Sequence, residues 1–231
     1  MVDAATILNG IFGNPLLLGA VGAGLAVGIA GLGSGIGAGI TGASGAGVIA
    51  EDPNKFGTAI VFQALPQTQG LYGFLVAILI LFVFKSAPEW AMLGAGIATG
   101  LAGLSAIGQG IASSAGLGAV AEDEGIFGKA MVFSVLPETQ AIYGLLVSIL
   151  LLVGVFSGNG VATIAAVGAG LAVGFAGLSG IGQGITAAGA IGATARDPDA
   201  MGKGLVLAVM PETFAIFGLL IAILIMLGIM F

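Results

Sequence analysis

Two carboxylates, Glu138 and Glu212, lie in stretches of the chain that are otherwise almost wholly apolar. All other charged residues belong to the N-terminus, to three charged turns or to the segment 85–89. A charge inside a bilayer costs at least about 2.5 kcal/mol, so an intramembrane carboxylate usually marks an ion path, a proton relay or a counter-ion. The alternative is a protonated, hydrogen-bonded glutamate with a structural role, and the neighbouring residues favour the functional role.

An amide lies at the same predicted depth as each carboxylate. If the second charged turn is centred near Asp123, Gln109 lies 14 residues before it and Glu138 lies 15 residues after it. Antiparallel helices of equal rise therefore bring these two residues to one level. Gln183 and Glu212 repeat the arrangement about the third turn with the same separation of 29 residues.

Further oxygen-bearing residues share this level. Four of them follow the helical spacing i, i+3, i+4 and i+7 and so lie on one helix face, namely Leu65, Thr68, Gln69 and Tyr72. The result is a belt of oxygen atoms near the membrane midplane. Hard cations bind such oxygens, and one carboxylate balances a monovalent ion.

Proline adds backbone oxygen to the belt at Pro66, Pro137 and Pro211. Because proline has no N–H, a carbonyl in the preceding turn loses its helical partner, and i→i−4 counting assigns this to Phe62 in the first copy. A freed carbonyl in lipid must be satisfied by another group, and a cation would serve. The alternative, compatible with the first, is that the prolines kink the helices and shape a curved wall.

The composition is that of an integral membrane protein. Of 231 residues, 58% are hydrophobic and 7% are charged, whereas soluble domains carry about 25% charged residues. The absence of Cys and His excludes disulfides and imidazole chemistry, and the net charge of −6 without basic clusters gives no sign of a nucleic-acid partner. The N-terminus carries Asp3 in place of a basic region, so no cleaved signal peptide is expected.

Two sequence elements and a charged turn each occur three times. The first element reads GSGIGAG (33–39), GLSAIGQG (103–110) and GLSGIGQG (177–184). The second reads LPQTQGLYG (65–73), LPETQAIYG (136–144) and MPETFAIFG (210–218). The turns between them are EDPNKFG (51–57), EDEGIFG (122–128) and RDPDAMG (196–202). This pattern predicts six spans, at 16–49, 56–84, 89–120, 127–156, 162–195 and 200–230.

The predicted fold is an all-α membrane protein of three tandem hairpins. Residues 1–15 form an N-terminal segment, 16–84 a first hairpin without a carboxylate, 85–156 a second with Glu138, and 157–231 a third with Glu212. Parallel repeats of two spans place both termini on one side. The basic residues cluster at the turns, so the positive-inside rule assigns the loops 51–57, 122–128 and 196–203 to the cytoplasm and the termini to the outer side.

The first, third and fifth spans are rich in Gly and Ala, which permits close helix packing in lipid. We therefore expect these spans to form an inner layer and the even-numbered spans to face lipid, as in a ring or ring segment. A dinucleotide-binding loop is rejected, because no strand precedes the glycines and no acidic residue follows at the required distance.

Together these motifs resemble the proteolipid (c or K) subunit of archaeal A-type and vacuolar-type rotary ATPases, as a triplicated hairpin. In sodium-binding members a backbone carbonyl, Thr and Gln of one hairpin and Gln and Glu of the next hold the ion, while a Tyr steadies the carboxylate. The resemblance implies a first site of Leu65, Thr68, Gln69, Gln109 and Glu138 with support from Tyr72. It implies a second site of Leu136, Thr139, Gln140, Gln183 and Glu212 with support from Tyr143. The family pattern uses the Leu65 carbonyl, whereas helical counting points to Phe62.

A third site is missing from both of the surfaces that would form it. The first hairpin has Gln67 in place of the Glu and Ala38 in place of the inner Gln. The third hairpin has Phe214 in place of the outer Gln and Phe217 in place of the Tyr. These surfaces meet only between chains, which implies head-to-tail assembly into a closed homo-oligomeric ring with a silent junction between copies.

We expect a non-catalytic rotor subunit of an A-type ATP synthase that needs no cofactor and carries Na+ on Glu138 and Glu212. The alternative is the same rotor coupled to H+, for which a carboxyl in an apolar wall suffices. The resemblance implies a stator membrane subunit with half-channels and central-stalk subunits at the cytoplasmic loops as partners, with lipid around the ring. A secondary transporter and a passive ring pore are more distant alternatives, because transporter repeats are usually inverted or larger and a pore needs no carboxylate-centred belt.

Overall fold

Six long helices make up the computed structural model, which describes residues 15–154 and 163–228. Labelled α1 to α6 in chain order, they span Pro15–Glu51, Pro53–Val83, Glu89–Glu122, Glu124–Val153, Ala165–Arg196 and Pro198–Met226. All six are long and apolar enough to cross a membrane, and the described residues contain no strand. The predicted all-helical membrane fold is thus confirmed. Most of the predicted N-terminal segment, and the predicted boundary between the second and third hairpins at 156–157, lie outside the described residues.

Short changes of helix type interrupt five of these helices. In α2 the α-helical pieces Phe56–Ala64 and Thr68–Ile78 are joined to 3-10 turns Pro53–Lys55 and Leu65–Gln67 and to a π-helical end, Leu79–Val83. In α4 the α-helical pieces are Phe127–Val135 and Thr139–Val153, and the 3-10 turns are Glu124–Ile126 and Leu136–Glu138. α3 consists of Glu89–Ala102, Gly103–Ser105 (3-10) and Ala106–Glu122. α5 consists of Ala165–Gly177 and Ser179–Arg196, and α6 of Pro198–Ala200 (3-10), Met201–Val209 and Glu212–Met226.

Three hairpins, α1–α2, α3–α4 and α5–α6 (hairpins 1, 2 and 3), each reverse direction at one extended aspartate. Asp52, Asp123 and Asp197 have φ of −137°, −141° and −141°. Each carboxylate accepts a hydrogen bond from the backbone N–H two residues later, at 3.0, 2.8 and 3.0 Å. This bond caps the first turn of the outgoing helix. The helix therefore resumes at once, and the turns are shorter than the seven-residue charged segments suggested.

The helices form two layers. α1, α3 and α5 lie side by side as an inner layer, and α2, α4 and α6 each pack on the outside of their own hairpin partner. The outer helices present large apolar side chains to the surroundings, such as Leu71, Phe74 and Phe82. This is the arrangement that the Gly-rich odd-numbered spans predicted.

Glycine allows the inner helices to touch backbone to backbone. A Cβ at Gly96 would lie 2.0 Å from the Gly22 carbonyl oxygen, so α1 and α3 meet there without side chains. A Cβ at Gly108 would lie 2.0 Å from the carbonyl oxygen of Gly180, in the same way, between α3 and α5. Backbone carbonyls cannot move aside as the end of a flexible side chain can. The spacing of the inner layer therefore depends on these positions.

The inner helices differ by one residue in the length of one segment, and a change of helix type compensates for this difference. The segment GLGSGIGAG (31–39) of α1 is one residue longer than GLSGIGQG (177–184) of α5. α1 is continuous α-helix there, whereas α3 has the 3-10 turn Gly103–Ser105 and α5 a turn at Leu178. A 3-10 turn rises about 2.0 Å per residue against about 1.5 Å for an α-helix, so fewer residues span a similar height.

The substitution Gly108→Ala should destabilise the folded protein by about 1–3 kcal/mol, because the added methyl group presses on the α5 backbone. Gly118→Ala on the same helix is the matched control, since its Cβ would meet no atom within 4 Å. That change should be neutral or stabilise by up to about 1 kcal/mol through helix propensity. Thermal unfolding in detergent measures both, and equal effects would contradict the proposed role of Gly108.

Candidate ion-binding sites

Proline turns position the oxygen-bearing residues that the two sites take from α2 and α4. Pro66 and Pro137 occupy the middle of the 3-10 turns Leu65–Gln67 and Leu136–Glu138. Since proline donates no hydrogen bond, the helical pattern changes there. The N–H of the following threonine donates to a carbonyl three residues back, from Thr68 to Leu65 in α2, and α4 repeats this. The turn thus brings a backbone oxygen, a hydroxyl and the next side chains together at one level.

Site 1 lies between hairpins 1 and 2 and has Glu138 at its centre. The Gln69 amide nitrogen donates to Gln109 Oε1 at 2.5 Å, and Gln109 Nε2 donates to Glu138 Oε2 at 3.3 Å. The Tyr72 hydroxyl donates to the other carboxylate oxygen, Oε1, at 2.5 Å. Three helices, α2, α3 and α4, therefore converge on a single carboxylate.

Site 2 repeats this geometry between hairpins 2 and 3. Gln140 Nε2 donates to Gln183 Oε1 at 2.7 Å, and Gln183 Nε2 donates to Glu212 Oε2 at 3.2 Å. The Tyr143 hydroxyl donates to Glu212 Oε1 at 2.6 Å. The same donors meet the same acceptors in both sites, so the arrangement is a repeated unit and not a chance meeting of core amides.

In each site a threonine hydroxyl lies between two acceptor oxygens. Thr68 Oγ1 lies 3.0 Å from the Leu65 carbonyl oxygen and 3.1 Å from Gln69 Oε1. A hydroxyl carries one hydrogen, so it can donate to only one of these two oxygens at a time. Thr139 Oγ1 stands in the same relation to Leu136 O and Gln140 Oε1, at 3.0 and 3.2 Å. Such a cluster of oxygens is suited to a cation.

Burial differs within each site. The four glutamines are completely buried, namely Gln69, Gln109, Gln140 and Gln183. Glu138 and Glu212 are half-buried, as are the two tyrosines that donate to them. The amides are therefore fixed in the protein interior, while the carboxylates stand at the outer side of the helix layer. This arrangement permits an ion to reach the carboxylate from the periphery.

All residues of the two predicted sets come together in the structure, although their role in ion binding stays a prediction. The structure also bears on the two candidate carbonyls of the first site. The Leu65 carbonyl oxygen lies 3.0 Å from Thr68 Oγ1, which in turn lies 3.1 Å from Gln69 Oε1. Helical counting assumes i→i−4 bonding through the proline, whereas the structure has a 3-10 turn there, and the choice between the two carbonyls stays a prediction.

The four residues of the predicted silent junction lie at the two ends of the molecule. Ala38 and Gln67 line the free side of hairpin 1, where Gln67 Nε2 donates to the Gln63 carbonyl at 3.1 Å. Phe214 and Phe217 lie on the free side of hairpin 3, 64% and 57% exposed, with their rings in edge-to-face contact at 6.3 Å. None of the four contributes to site 1 or site 2.

One polar contact near the first site escaped the sequence reasoning. The Gly70 N–H donates to Ser34 Oγ at 2.8 Å, so hairpin 1, which has no intramembrane carboxylate, has a hydrogen bond of its own between α1 and α2. A Cβ on residue 70 would lie 3.0 Å from that oxygen. Comparison of the repeats could have revealed this contact, because Gly70 stands where the other copies have Ala141 and Ala215.

Comparison with known proteins gives a consistent family match. The family model for the ATP synthase C subunit matches three times, over residues 21–80, 93–151 and 167–225. The A-type ATP synthase subunit K of Methanocaldococcus jannaschii is 89% identical over 215 residues, covering 93% of this chain and 98% of that protein. The V-type sodium ATPase subunit K of Enterococcus hirae is 38% identical over 126 residues, covering 52% of this chain and 81% of that protein. The A-type ATP synthase subunit K of Sulfolobus acidocaldarius is 45% identical over 62 residues, covering 27% of this chain and 61% of that protein.

Proposed function

The chain belongs to the ATP synthase C-subunit family with its unit present three times, and on this basis we propose that it carries Na+ on Glu138 and Glu212 within a rotor ring. It is a membrane rotor proteolipid and does not itself catalyse a reaction. The observation that carries the proposal is the same amide, tyrosine and carboxylate arrangement, found twice in one chain.

The mechanism follows from the cost of the carboxylate in lipid. A cation enters from a half-channel in a stator membrane subunit and neutralises Glu138 or Glu212. The neutral site then faces lipid at low cost while the ring turns, and the ion leaves through a second half-channel. An empty, charged site is unfavourable against lipid, and this difference couples rotation to ion transport. ATP synthesis or hydrolysis takes place in soluble subunits linked through the central stalk.

The edges of the inner layer support head-to-tail ring closure. Four glycines of α1 have no atom within 4 Å of an added Cβ, namely Gly24, Gly28, Gly31 and Gly39. Their counterparts by repeat alignment on α5 all press against α3, namely Gly170, Gly174, Gly177 and Gly184. The free edge of α1 therefore has the pattern that a neighbouring inner helix covers elsewhere in the molecule. In the proposed ring, α5 of a second copy packs against that free edge of α1.

The junction between copies carries no ion. Hairpin 3 of one copy would supply Phe214 and Phe217 where working sites have a glutamine and a tyrosine. Hairpin 1 of the next would supply Ala38 and Gln67 where working sites have a glutamine and a glutamate. The exposed phenyl rings have the size to fill the volume that polar groups occupy at the working sites. A ring built from this chain therefore holds two ions per three hairpins.

Sodium rather than the proton is the proposed ion, because a proton site requires little more than one carboxyl group. A proton site does not require the three neighbouring oxygens Leu65 O, Thr68 Oγ1 and Gln69 Oε1 in addition to the carboxylate. Several neutral oxygens are what replaces the water shell of a bound alkali ion. The Enterococcus hirae relative, named as a sodium ATPase subunit, agrees with this assignment.

The sidedness of the ring follows from its basic residues. The charged turns hold Lys55, Lys129, Arg196 and Lys203, and the opposite side holds Lys85. By the positive-inside rule the turns are cytoplasmic and the termini lie outside. The Asp-capped turns are then the surface that meets the central stalk. The three functional units are the hairpins at 16–84, 85–156 and 157–231, after an N-terminal segment 1–15.

Loss of one carboxylate should abolish transport even though the second remains. Every site must pass the stator during each turn, so an unloadable position stalls rotation or lets ions leak. Glu138→Gln rings in reconstituted complexes should therefore show no ATP-driven ion uptake. Glu122→Gln, at the exposed turn, serves as the control. Uptake by the Glu138→Gln ring near that of the control would contradict the proposal.

Sodium should protect both carboxylates from carbodiimide, because the reagent attacks the protonated, unoccupied carboxyl group. We expect millimolar Na+ near neutral pH to slow labelling of Glu138 and Glu212, and an equal concentration of K+ to have no such effect. Mass spectrometry of labelled peptides measures the two positions separately. Equal behaviour in Na+ and K+ would identify the ring as proton-coupled.

The substitution Gln67→Ala should leave the number of bound ions unchanged, since the silent junction holds none. The matched change Gln109→Ala removes a buried donor to Glu138 and should cost one of the two ions per chain. Equilibrium binding of radioactive sodium to purified rings gives both numbers. A third ion per chain in the unmodified ring would contradict the silent junction.

A further inference from the structure

Hairpin 2 contains buried hydroxyl residues that hairpins 1 and 3 lack at the equivalent positions, namely Thr99, Ser113, Ser134 and Ser148. The register of α3 against α4 is fixed at two levels, by the bond from Gln109 to Glu138 and by a 2.6 Å contact between Thr99 Oγ1 and Ser148 Oγ. From the first level to the second, both helices move ten residues away from the charged turn. The register of α3 against α4 is therefore uniform between these two levels.

Ser113 and Ser134 are a further pair of polar residues, on the side of the charged turn. Ser113 lies four residues after Gln109, and Ser134 lies four residues before Glu138. A step of four keeps a residue on roughly the same helix face, so both serines lie one turn, or about 6 Å, from site 1. Both are completely buried, and neither hydroxyl has a hydrogen-bond partner among the described residues.

The Ser134 hydroxyl points towards α3. Its oxygen lies 2.9 Å from the position that a Cβ would take on Gly116, which is one turn beyond Ser113. The ring of Phe62 closes the same spot from α2, with Cε1 2.7 Å from that position. The Ser134 oxygen thus lies against α3 about one helix turn from Ser113, in apolar surroundings.

Buried hydroxyls without a partner are rare in folded proteins, because each loses its hydrogen bonds to water without replacement. One water molecule between two hydroxyls would restore a hydrogen bond to both. We propose that Ser113 and Ser134 together hold a buried water molecule beside Glu138, and that this water makes site 1 different from site 2.

The other hairpins have no such pair. The positions equivalent to Ser113 and Ser134 in hairpin 3 are Ala187 and Ala208, both completely buried. Glu212 therefore has methyl groups where Glu138 has hydroxyls. The difference is specific, since the amide, tyrosine and threonine contacts of the two sites are otherwise the same.

The consequence rests on the proposed ion-carrying function. A water molecule one turn from Glu138 lowers the cost of leaving that carboxylate without its cation. Site 1 then releases its ion more readily than site 2. Each chain of the ring presents the stator with a weaker site followed by a tighter one.

A double-mutant cycle on the purified ring tests the water itself. Ser113→Ala and Ser134→Ala should each lower the midpoint of thermal dissociation, because each leaves the water with one hydroxyl. The double substitution should lower it by less than the sum, because the water leaves as well. The cycle Thr99→Val and Ser148→Ala is the positive control for a directly bonded pair. Additive effects in the serine cycle, or a rise of the midpoint in each single variant, would overturn the proposal.

A high-resolution map of the unmodified ring gives an independent test. We expect density within hydrogen-bond distance of both serine oxygens and none between Ala187 and Ala208. An empty space between the serines would overturn the proposal whatever the stability data show.

Carbodiimide labelling in increasing Na+ tests the consequence. Half-protection of Glu138 should need more sodium than that of Glu212, and the Ser113→Ala/Ser134→Ala double variant should reduce the difference without changing Glu212. Equal protection of both carboxylates in the unmodified ring would overturn the inequality of the sites. If sodium protects neither carboxylate, the proposed sodium coupling is wrong. The double-mutant cycle then still tests whether the buried water molecule is present.

Discussion

The cost of an unbalanced carboxylate in a bilayer is the constraint on which the other features of this molecule depend. Glu138 and Glu212 are each held by a glutamine amide and a tyrosine hydroxyl, and each has a hydroxyl and a carbonyl from a proline turn nearby. None of these groups carries a charge of its own. A single ion of opposite sign can therefore complete the site, and its departure leaves the carboxylate with partial compensation only. If the site carries an ion as proposed, it holds that ion better in lipid than in contact with water.

Precise depth is the second requirement, and the backbone supplies it. Because each hairpin reverses at one aspartate that caps the outgoing helix, the two helices leave the turn in a fixed register. Glycine contacts such as Gly108 with Gly180 then set the distance between neighbouring hairpins. Depth and distance together bring an amide and a tyrosine hydroxyl of one hairpin against an amide and the carboxylate of the next. The site is thus assembled by helix packing, with little contribution from flexible loops.

Sequence reasoning reached the pairing of Gln109 with Glu138 because both are nearly equidistant from the turn, and helical rise is uniform enough for that count to succeed. It reached the inner layer because glycines at regular intervals favour close helix packing in lipid. It could not decide between the Phe62 and Leu65 carbonyls, since a 3-10 turn changes the bonding by one residue and depends on tertiary packing. The direction of each glutamine amide was also beyond it, because oxygen and nitrogen are equivalent in a residue count. The contact of Ser34 with Gly70 depends on the absence of one methyl group, which only a comparison of Gly70 with Ala141 and Ala215 in the other repeats brings out.

The covalent connection of three hairpins has a consequence for assembly. Sites 1 and 2 are each completed within one chain, where the linked hairpins meet at a high effective concentration. Only the silent junction has to form between separate molecules. In the proposed ring, closure therefore neither creates nor destroys an ion site, because the joining surface has Phe214 and Phe217 where the working sites have a glutamine and a tyrosine. That surface can be selected for adhesion alone, as the exposed pair Phe214 and Phe217 illustrates. In the proposed ring, transport and oligomerisation thus use different interfaces of the same repeated unit.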